Sequence, residues 1–455
     1  MGQDFIINQL KDRRILILGF GREGKSSYRY IRRHLPYIPL VIADENPQIE
    51  THLFENDRYT TAILYEKDRE TFADYDRVLK SPGISLKDRL GSMDASKISS
   101  QTDLFLQAFS SQTIGITGTK GKSTTASLLF HVLKSACPHV LLAGNIGIPP
   151  FDIVEQVDAE TKIVIELSAH QLEFIHKSPH ISILLNLFEE HLDHYNSYED
   201  YKMAKFNIAR CQSAADCFIY NVNDRETACL LGTKPVSSHC IGFAGELSAS
   251  FVKDNDFYLR KDGKLLKICS IEDDFPLKGE HNLDNVSAVI AALSCIETVD
   301  IQSISGALYS FKPLAHRLEP LGKVGEIFFY NDSISTIPQA SIAAVKVLKN
   351  VNTILLGGMD RGIDYAPLVD FLRQSEVENL IFTGDAGKKM MDLFGKQENK
   401  QFFFSNSYQE MVEIAKKCTK KGCICLLSPA AASYDQLKNF EHRGETFRQL
   451  VLQNK

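Results

Sequence analysis

The chain has 455 residues, too many for one hydrophobic core, and at 44% apolar and 24% charged it is not disordered, collagenous or coiled-coil throughout. Its 51 basic and 57 acidic residues leave a formal charge of −6, which argues against nucleic acid as the partner. No apolar run approaches the roughly 20 residues that span a bilayer, the N-terminus lacks a secretion signal, and the ten cysteines follow no zinc spacing, so a reduced, cytoplasmic chain without membrane insertion is expected.

Short apolar runs alternate with helix-length segments, the pattern of parallel sheets covered by helices. The first block, residues 1–105, has strands at Arg14–Leu18, Pro39–Ala43 and Asp76–Leu79, the last running into Ser81-Pro82-Gly83. The second, 106–313, has strands at Thr113–Thr117, Val140–Leu142, Lys162–Leu167, Ile181–Leu187 and Cys217–Asn221. A polar, turn-rich stretch from 233 to 278 reads as a small antiparallel insertion, before helices at Leu283–Ile296 and Ile301–Phe311. Lys312-Pro313 breaks the pattern, and Lys312–Gly322 reads as a hinge. The third block, 314–455, has strands at Glu326–Tyr330, Thr353–Leu356, Asn379–Phe382 and Ile424–Leu427, with helices at Gln339–Leu348 and Tyr408–Lys417.

The sharpest motif is Gly118-Thr119-Lys120-Gly121-Lys122-Ser123-Thr124, between a strand and a helix. Phosphate oxygens need close backbone N–H donors, hence glycines, and the helix start adds positive potential. Lys122 can reach the β- and γ-phosphates, and the Ser123 hydroxyl can ligate Mg²⁺. The full G-x4-G-K-[ST] pattern would need glycine where Ile116 stands, so the loop is a shorter variant. A second glycine loop, Gly19 to Gly24, is followed by Asp44. Alone it reads as a dinucleotide fingerprint, but the same turn serves any diphosphate ligand or none.

Glu166 ends a strand, and His191 follows another in a stretch rich in acids. His191-x2-His194 admits a zinc reading, although Mg²⁺ held by oxygens suits a phosphate loop better. Lys205 reads as an exposed helical lysine. Asn282 and Asn285 share one face of a helix start, with capping by Asn282 as the plain alternative.

The ordered set GTKGKSTT (118–125), GNIG (144–147), ELSAHQLE (166–173), EEHLDHY (189–195), MAKF (203–206), GEHNLDN (279–285), HRLE (316–319) and NDS (331–333) resembles the Mur ligase family, ATP-dependent amide ligases of peptidoglycan synthesis. SPGI (81–84) and the closing SPAAASYDQLKNFEHRGETF (428–447) point, within it, to a member that adds D-glutamate. The resemblance implies three α/β domains: a Rossmann-like N-terminal domain, a central P-loop-type ATPase domain with a mostly parallel sheet and an antiparallel insertion, and a Rossmann-like C-terminal domain. It implies UDP-N-acetylmuramoyl-L-alanine and D-glutamate as small-molecule substrates, ATP, two Mg²⁺ ions and a monomer. Gly21, Arg22, Ser81, Pro82 and Gly83 would then hold the uridine diphosphate end, with Asn145, Ser168 and Gln171 nearer the reaction.

By the same resemblance, Gly118 to Thr124, Asn282, Asn285, Arg317 and Asp332 would bind ATP. Lys122, Glu166, His191 and Lys205 would be catalytic. Ser123, Glu166, His191 and a carbamylated Lys205 would hold the metal, since an unmodified ammonium has no lone pair to give. Thr336, Arg361, Ser433, Tyr434 and Phe440 would seat D-glutamate. One departure is Ile334, where relatives commonly carry lysine. The implied reaction passes through an acyl phosphate, with a mobile third domain closing over the cleft. The rivals are a Mur-type ligase for another amino acid, an NAD-dependent oxidoreductase resting on the first glycine loop, and a noncatalytic nucleotide-gated module.

Overall fold

A computed structural model describes residues 2–46, 49–65, 72–87, 94–146, 148–190, 194–313, 315–395 and 399–453. The chain forms two compact units, Met1–Phe311 and Lys312–Lys455. Among the described residues no helix is long and apolar enough to cross a membrane.

The first unit holds two sheets. In one, β1 (Ile15–Leu18), β2 (Leu40–Asp44), β3 (Thr60–Leu64), β4 (Arg77–Lys80) and β5 (Ile98–Ser99) run parallel in the order β3-β2-β1-β4-β5. The apolar run of β1 is wholly buried, as a central strand covered on both faces requires. Strand order reverses between β1 and β4, and that switch point opens a crevice at the carboxyl ends. It sets the first glycine loop beside the Ser81 turn: the Ser81 N–H donates to Leu18 O (2.8 Å) and its Oγ to Gly19 O (2.7 Å).

The second sheet contains β6 (Thr113–Thr117), β7 (Val140–Gly144), β8 (Lys162–Glu166), β9 (Ile181–Leu184), β10 (Cys217–Asn221), β11 (His239–Phe243), β12 (Ser250–Lys253), β13 (Asp256–Lys261) and β14 (Lys264–Ser270). Its order is β14-β13-β12-β11-β10-β9-β6-β8-β7. The antiparallel insertion is present as β12-β13-β14, but it prolongs the central sheet instead of forming a separate lobe. The helix Glu280–Ser294 covers it with a buried face that includes Val286, Val289, Ile290 and Leu293. That helix begins three residues before the predicted Leu283, because Gly279 at φ +89° turns the chain into it.

The second unit has one sheet: β15 (Glu319–Val324), β16 (Ile327–Asn331), β17 (Val351–Gly357), β18 (Asn379–Thr383), β19 (Gln401–Phe404) and β20 (Ile424–Leu427), ordered β15-β16-β20-β17-β18-β19. Only β15 is antiparallel to its neighbour. Two expectations change here. The hinge predicted across Lys312–Gly322 is cut short, since from Glu319 the chain is committed to β15, a strand that tolerates Pro320 because it lies at the edge. The edge strand β19 was missed because its residues are exposed or half-buried and carry no clean period.

Gly24 shows how tightly the first glycine loop is closed. A Cβ there would sit 2.1 Å from Gly19 O, a backbone atom that cannot swing aside. Gly24→Ala should therefore lower stability by about 1–3 kcal/mol, as overpacking does. Urea unfolding with an unchanged midpoint would contradict that packing.

Candidate active site

The phosphate loop leaves β6 at its carboxyl end and enters the helix Lys122–Ala136. Gly118 (φ +151°) and Gly121 (φ +86°) occupy backbone conformations that other residues rarely adopt. Both are also crowded: a Cβ would meet Leu185 Cβ at 2.9 Å in one case and Asn285 Oδ1 at 2.5 Å in the other. The segment after β9 stitches the loop down. Thr119 N–H donates to Asn186 O (2.9 Å), Lys120 N–H to Asn186 Oδ1 (2.8 Å), Asn186 Nδ2 to Lys120 O (3.1 Å), and Phe188 N–H to Thr119 Oγ1 (2.9 Å). Lys120 is ion-paired with Glu190. Ser123 is half-buried and Thr124 buried in the first helical turn.

Two lysines meet on one carbonyl. Lys122 Nζ donates to Gly118 O and Thr119 O, both at 2.9 Å, and Lys205 Nζ donates to Gly118 O at 2.8 Å. Lys205 is not the exposed helical residue its sequence suggests: it is 2% exposed, with Nζ 4.9 Å over the Tyr201 ring. Burial first, and then the charge of Lys122, push its amine well below the usual lysine range; Glu190 and Glu166 oppose the shift. Tyr201 Oη lies 3.0 Å from Thr119 Oγ1, tying the helix Tyr198–Arg210 to the loop.

Glu166 ends β8 and is buried. Its Oε1 accepts from Asn145 Nδ2 (3.0 Å), whereas Oε2 has no hydrogen-bond partner among the described residues. A buried carboxylate oxygen without a donor is costly, and a hard cation is the natural group to satisfy it. No three His, Cys, Asp or Glu side chains among the described residues cluster closely enough to hold a metal by themselves. His191 lies outside the described residues, and with it the zinc pair. His194 is turned elsewhere, with Nε2 3.5 Å from Glu173 Oε2 and its ring 4.0 Å from that of His170.

The first glycine loop reaches this centre through hydrogen bonds. Arg22, in the first turn after Gly21, donates from Nη2 to Asn145 O (3.1 Å), and Asn145 in turn donates to Glu166. Gln171 Nε2 donates to Glu23 Oε1 (2.7 Å), while its Oε1 accepts from the Ser168 N–H (2.9 Å) in a capping box. Ser81 is buried, Pro82 half-buried and Gly83 exposed at the crevice. Asp44 accepts from Phe20 N–H (2.6 Å) and Asn46 N–H (2.8 Å), so its carboxylate organises the loop. Phe20, Gly21, Lys25, Asp44, Asn46 and Glu50 line a cavity of about 270 Å³.

Asn285 packs on Gly121, and its Nδ2 lies 3.4 Å from Asn282 Oδ1. Asn282 is not the helix cap: Gly279 is, and the Asn282 amide donates back to Lys278 O (2.9 Å).

The remaining candidates belong to the second unit. Asp332 is 3% exposed; its carboxylate accepts from Leu318 N–H (3.1 Å) and Ser428 Oγ (2.7 Å), yet burial raises its pKa to about 6. Arg317 lies near enough to oppose that rise. Thr336 is half-buried beyond Ile334, whose N–H donates to His316 O (3.1 Å). Ser433 is buried, Tyr434 is 64% exposed, and Phe440 opens the last helix, its carbonyl accepting from Ser333 Oγ (2.8 Å). Arg361 is exposed.

Residues 116–293 match the family model described as the Mur ligase middle domain. A UDP-N-acetylmuramoylalanine--D-glutamate ligase of Streptococcus agalactiae is 30% identical over 454 residues, covering 97% of each chain. The chain belongs to the Mur ligase family. A second relative of the same name, from Citrifermentans bemidjiense, is 29% identical and covers 97% of this chain and 98% of its own. Among solved structures, a MurF from Acinetobacter baumannii gives a TM-score of 0.62 at 18% identity, covering 96% of this chain and 93% of that one. The MurF of Thermotoga maritima in complex with ADP gives 0.57 at 16% identity, covering 99% and 98%.

In this Mur ligase the structure adds residues that the motifs did not single out. Asn186 clamps the phosphate loop from both sides, and Tyr201 holds it through Thr119. Lys80, 4% exposed, lies 3.1 Å from Glu173 and close to Glu23, whose pKa burial raises. Arg443, fully buried, donates from Nε to Ser333 Oγ (2.9 Å) and from Nη2 to Ser333 O (2.8 Å), fixing the turn that carries Asp332. Only the Asn186 clamp had a sequence signal, a polar residue directly after a buried strand.

Asp332 yields a pH prediction. Its folded pKa, about 6, lies above the ordinary 3.8, so its contribution to stability is complete below the lower value and is lost as pH rises through the higher. Asp332→Asn should remove that loss, and its stability relative to the parent should climb between those two pH values and stay flat above them. Denaturant midpoints that keep a constant difference across the window would refute it.

Proposed function

We propose that this Mur ligase joins D-glutamate to UDP-N-acetylmuramoyl-L-alanine, using ATP and releasing ADP and phosphate. The observation that carries the reading is the meeting of Lys122 and a buried Lys205 on Gly118 O, in the same unit as the unsatisfied Glu166 oxygen. The full-length relatives named UDP-N-acetylmuramoylalanine--D-glutamate ligase support the choice of amino acid. The ADP complex of the Thermotoga maritima MurF supports a nucleotide on the loop. In this reading residues 1–105 bind the uridine diphosphate end, 106–313 bind ATP, and 314–455 bind the amino acid. The substrates are small molecules met in the cytoplasm.

The substrate carboxylate attacks the γ-phosphate of ATP, forming an acyl phosphate and ADP; the D-glutamate amine then adds to the carbonyl, and phosphate leaves. A bare carboxylate has a poor leaving group, which is why ATP is spent. The protein's part is positioning and charge neutralisation. The Lys122 ammonium and the N-terminal end of the helix Lys122–Ala136 hold the phosphates. Gly21, Arg22, Ser81, Pro82 and Gly83 hold the diphosphate, and Arg22 passes its orientation through Asn145 to Glu166. Ser123, Glu166, His191 and carbamylated Lys205 would hold Mg²⁺, which supplies charge neutralisation at the phosphates when bound. The depressed basicity of Lys205 suits carbamylation: the free amine adds to CO₂, a C–N bond forms, and a proton leaves the nitrogen. Asn282, Asn285, Arg317 and Asp332 are assigned to the nucleotide. Thr336, Arg361, Ser433, Tyr434 and Phe440 are assigned to D-glutamate. A nicotinamide cofactor is disfavoured, since Asp44 already receives two backbone N–H groups.

Lys122→Ala should cut ADP release at least about a hundred-fold, as losing a preorganised donor does, while sugar-nucleotide binding by calorimetry stays near the parent value. Full turnover would reject the phosphate role. Lys205→Ala should lose activity and recover part of it with added short carboxylic acids; normal rates without them would reject the carbamate. Phosphate release assayed with each candidate amino acid should be greatest with D-glutamate, and a preference for another would reassign the acceptor.

A further inference from the structure

The cavity at the first glycine loop, about 270 Å³, is lined by one cation, Lys25, and two acids, Asp44 and Glu50, among the described residues. That charge balance disfavours an anionic ligand, whereas the backbone around it favours one. The helix Arg22–His34 starts at Gly21 on the cavity wall, and this N-cap has no side chain to hold the first N–H groups. Such donors, with the positive end of the helix dipole behind them, attract anions. Gly21 also leaves room, since a Cβ built there would meet nothing within 4 Å. Lys25 stands one turn into the helix, its N–H donating to Gly21 O (2.9 Å), and its ammonium is ion-paired with Glu50 Oε1. The two side chains are 25% and 53% exposed, so neither is locked into a core. Neighbouring charges are engaged elsewhere: Asp44 accepts the Phe20 and Asn46 N–H groups, and Arg22 Nη2 donates to Asn145 O (3.1 Å).

We propose that Lys25 binds the diphosphate of the sugar nucleotide and that Glu50 competes with that diphosphate for the Lys25 ammonium. The inference rests on the assignment of residues 1–105 to the uridine diphosphate end and adds to it a pair of residues that no motif singled out. When the ligand enters, a phosphate oxygen replaces Glu50 Oε1 at Lys25 Nζ, so one charge-assisted bond is exchanged for another of the same kind. The Glu50 side chain then turns into solvent, where its carboxylate is hydrated and its repulsion of the ligand is screened. A diphosphate wins the exchange because it carries more than one negative charge and also meets the helix N-terminus, which a lone carboxylate on Lys25 does not reach at the same time. A nucleoside without phosphate leaves the Lys25–Glu50 pair intact and gains nothing from it. Glu50 therefore lowers affinity for every ligand that needs Lys25, and the pair makes the cavity discriminate by the ligand's anionic charge.

The test titrates the full chain with uridine 5′-diphosphate and with uridine by calorimetry, without magnesium. Lys25→Met should weaken diphosphate binding at least about tenfold, the loss of one charge-assisted bond, and leave uridine binding at the parent value. Glu50→Gln should tighten diphosphate binding by about threefold or more, as freeing an exposed ion-paired lysine does, again without effect on uridine. The double variant should match Lys25→Met, because Glu50 acts only through Lys25. Unchanged diphosphate affinity in Lys25→Met, an equal loss of both probes there, or weaker diphosphate binding in Glu50→Gln (which would make Glu50 itself a ligand contact) would each overturn the proposal while leaving the assignment of residues 1–105 standing. A parent chain that binds neither probe would overturn that assignment and the proposal with it.

Discussion

The carbonyl of Gly118 is the point on which the first unit is organised. Two ammonium groups, those of Lys122 and Lys205, donate to it from opposite elements, one at the start of the helix behind the loop and one on the helix Tyr198–Arg210. Like charges held together in a buried place are costly, since desolvation alone amounts to several kcal/mol per ion. The structure lowers the cost by pushing the Lys205 proton off and by keeping Glu166 and Glu190 near. A lysine whose amine is held below its usual range is thus a consequence of packing a second cation on the phosphate loop. The same glycine supplies the backbone turn, so the loop's shape and its electrostatics cannot be separated.

A second constraint is the route by which the two glycine loops of the first unit are joined. Each leaves a buried parallel strand at its carboxyl end, where helix N-termini and free N–H groups collect. Arg22 reaches Asn145, Asn145 reaches Glu166, and Gln171 reaches Glu23, so the first sheet's loop and the central sheet's acid share one hydrogen-bonded path. Lys80 and His194, both buried, meet Glu173 beside it. A displacement of Arg22 is therefore transmitted through Asn145 to the Glu166 carboxylate. In the second unit Arg443 does comparable work, holding Ser333 and so the turn between Asp332 and Thr336.

The motifs and the fold class were readable in the chain itself because they are local. A glycine-rich turn after a run such as RILIL or TIGIT states both the strand and the phosphate-sized gap behind it, and the order of short motifs from GTKGKSTT to NDS resembled one family over its whole length. Buried strands such as β1, β6, β8, β9 and β17 followed from continuous apolar runs. The edge strands β15 and β19 did not: they lack a two-sided core, and their residues carry no period to read.

Burial and partnership were decided by tertiary structure alone. Lys205 has the local pattern of any solvent-facing helical lysine, and only the packing of its helix against the phosphate loop makes it a buried donor with a weakened proton affinity. Asn282 is not the cap, since Gly279 takes that place, and the carboxylate of Asp44 receives the Phe20 N–H of the first glycine loop and the Asn46 N–H of its own turn. Sequence determined what each segment is made of and therefore what it can become; desolvation and the identity of neighbours arise from long-range contacts, and those set which charges survive.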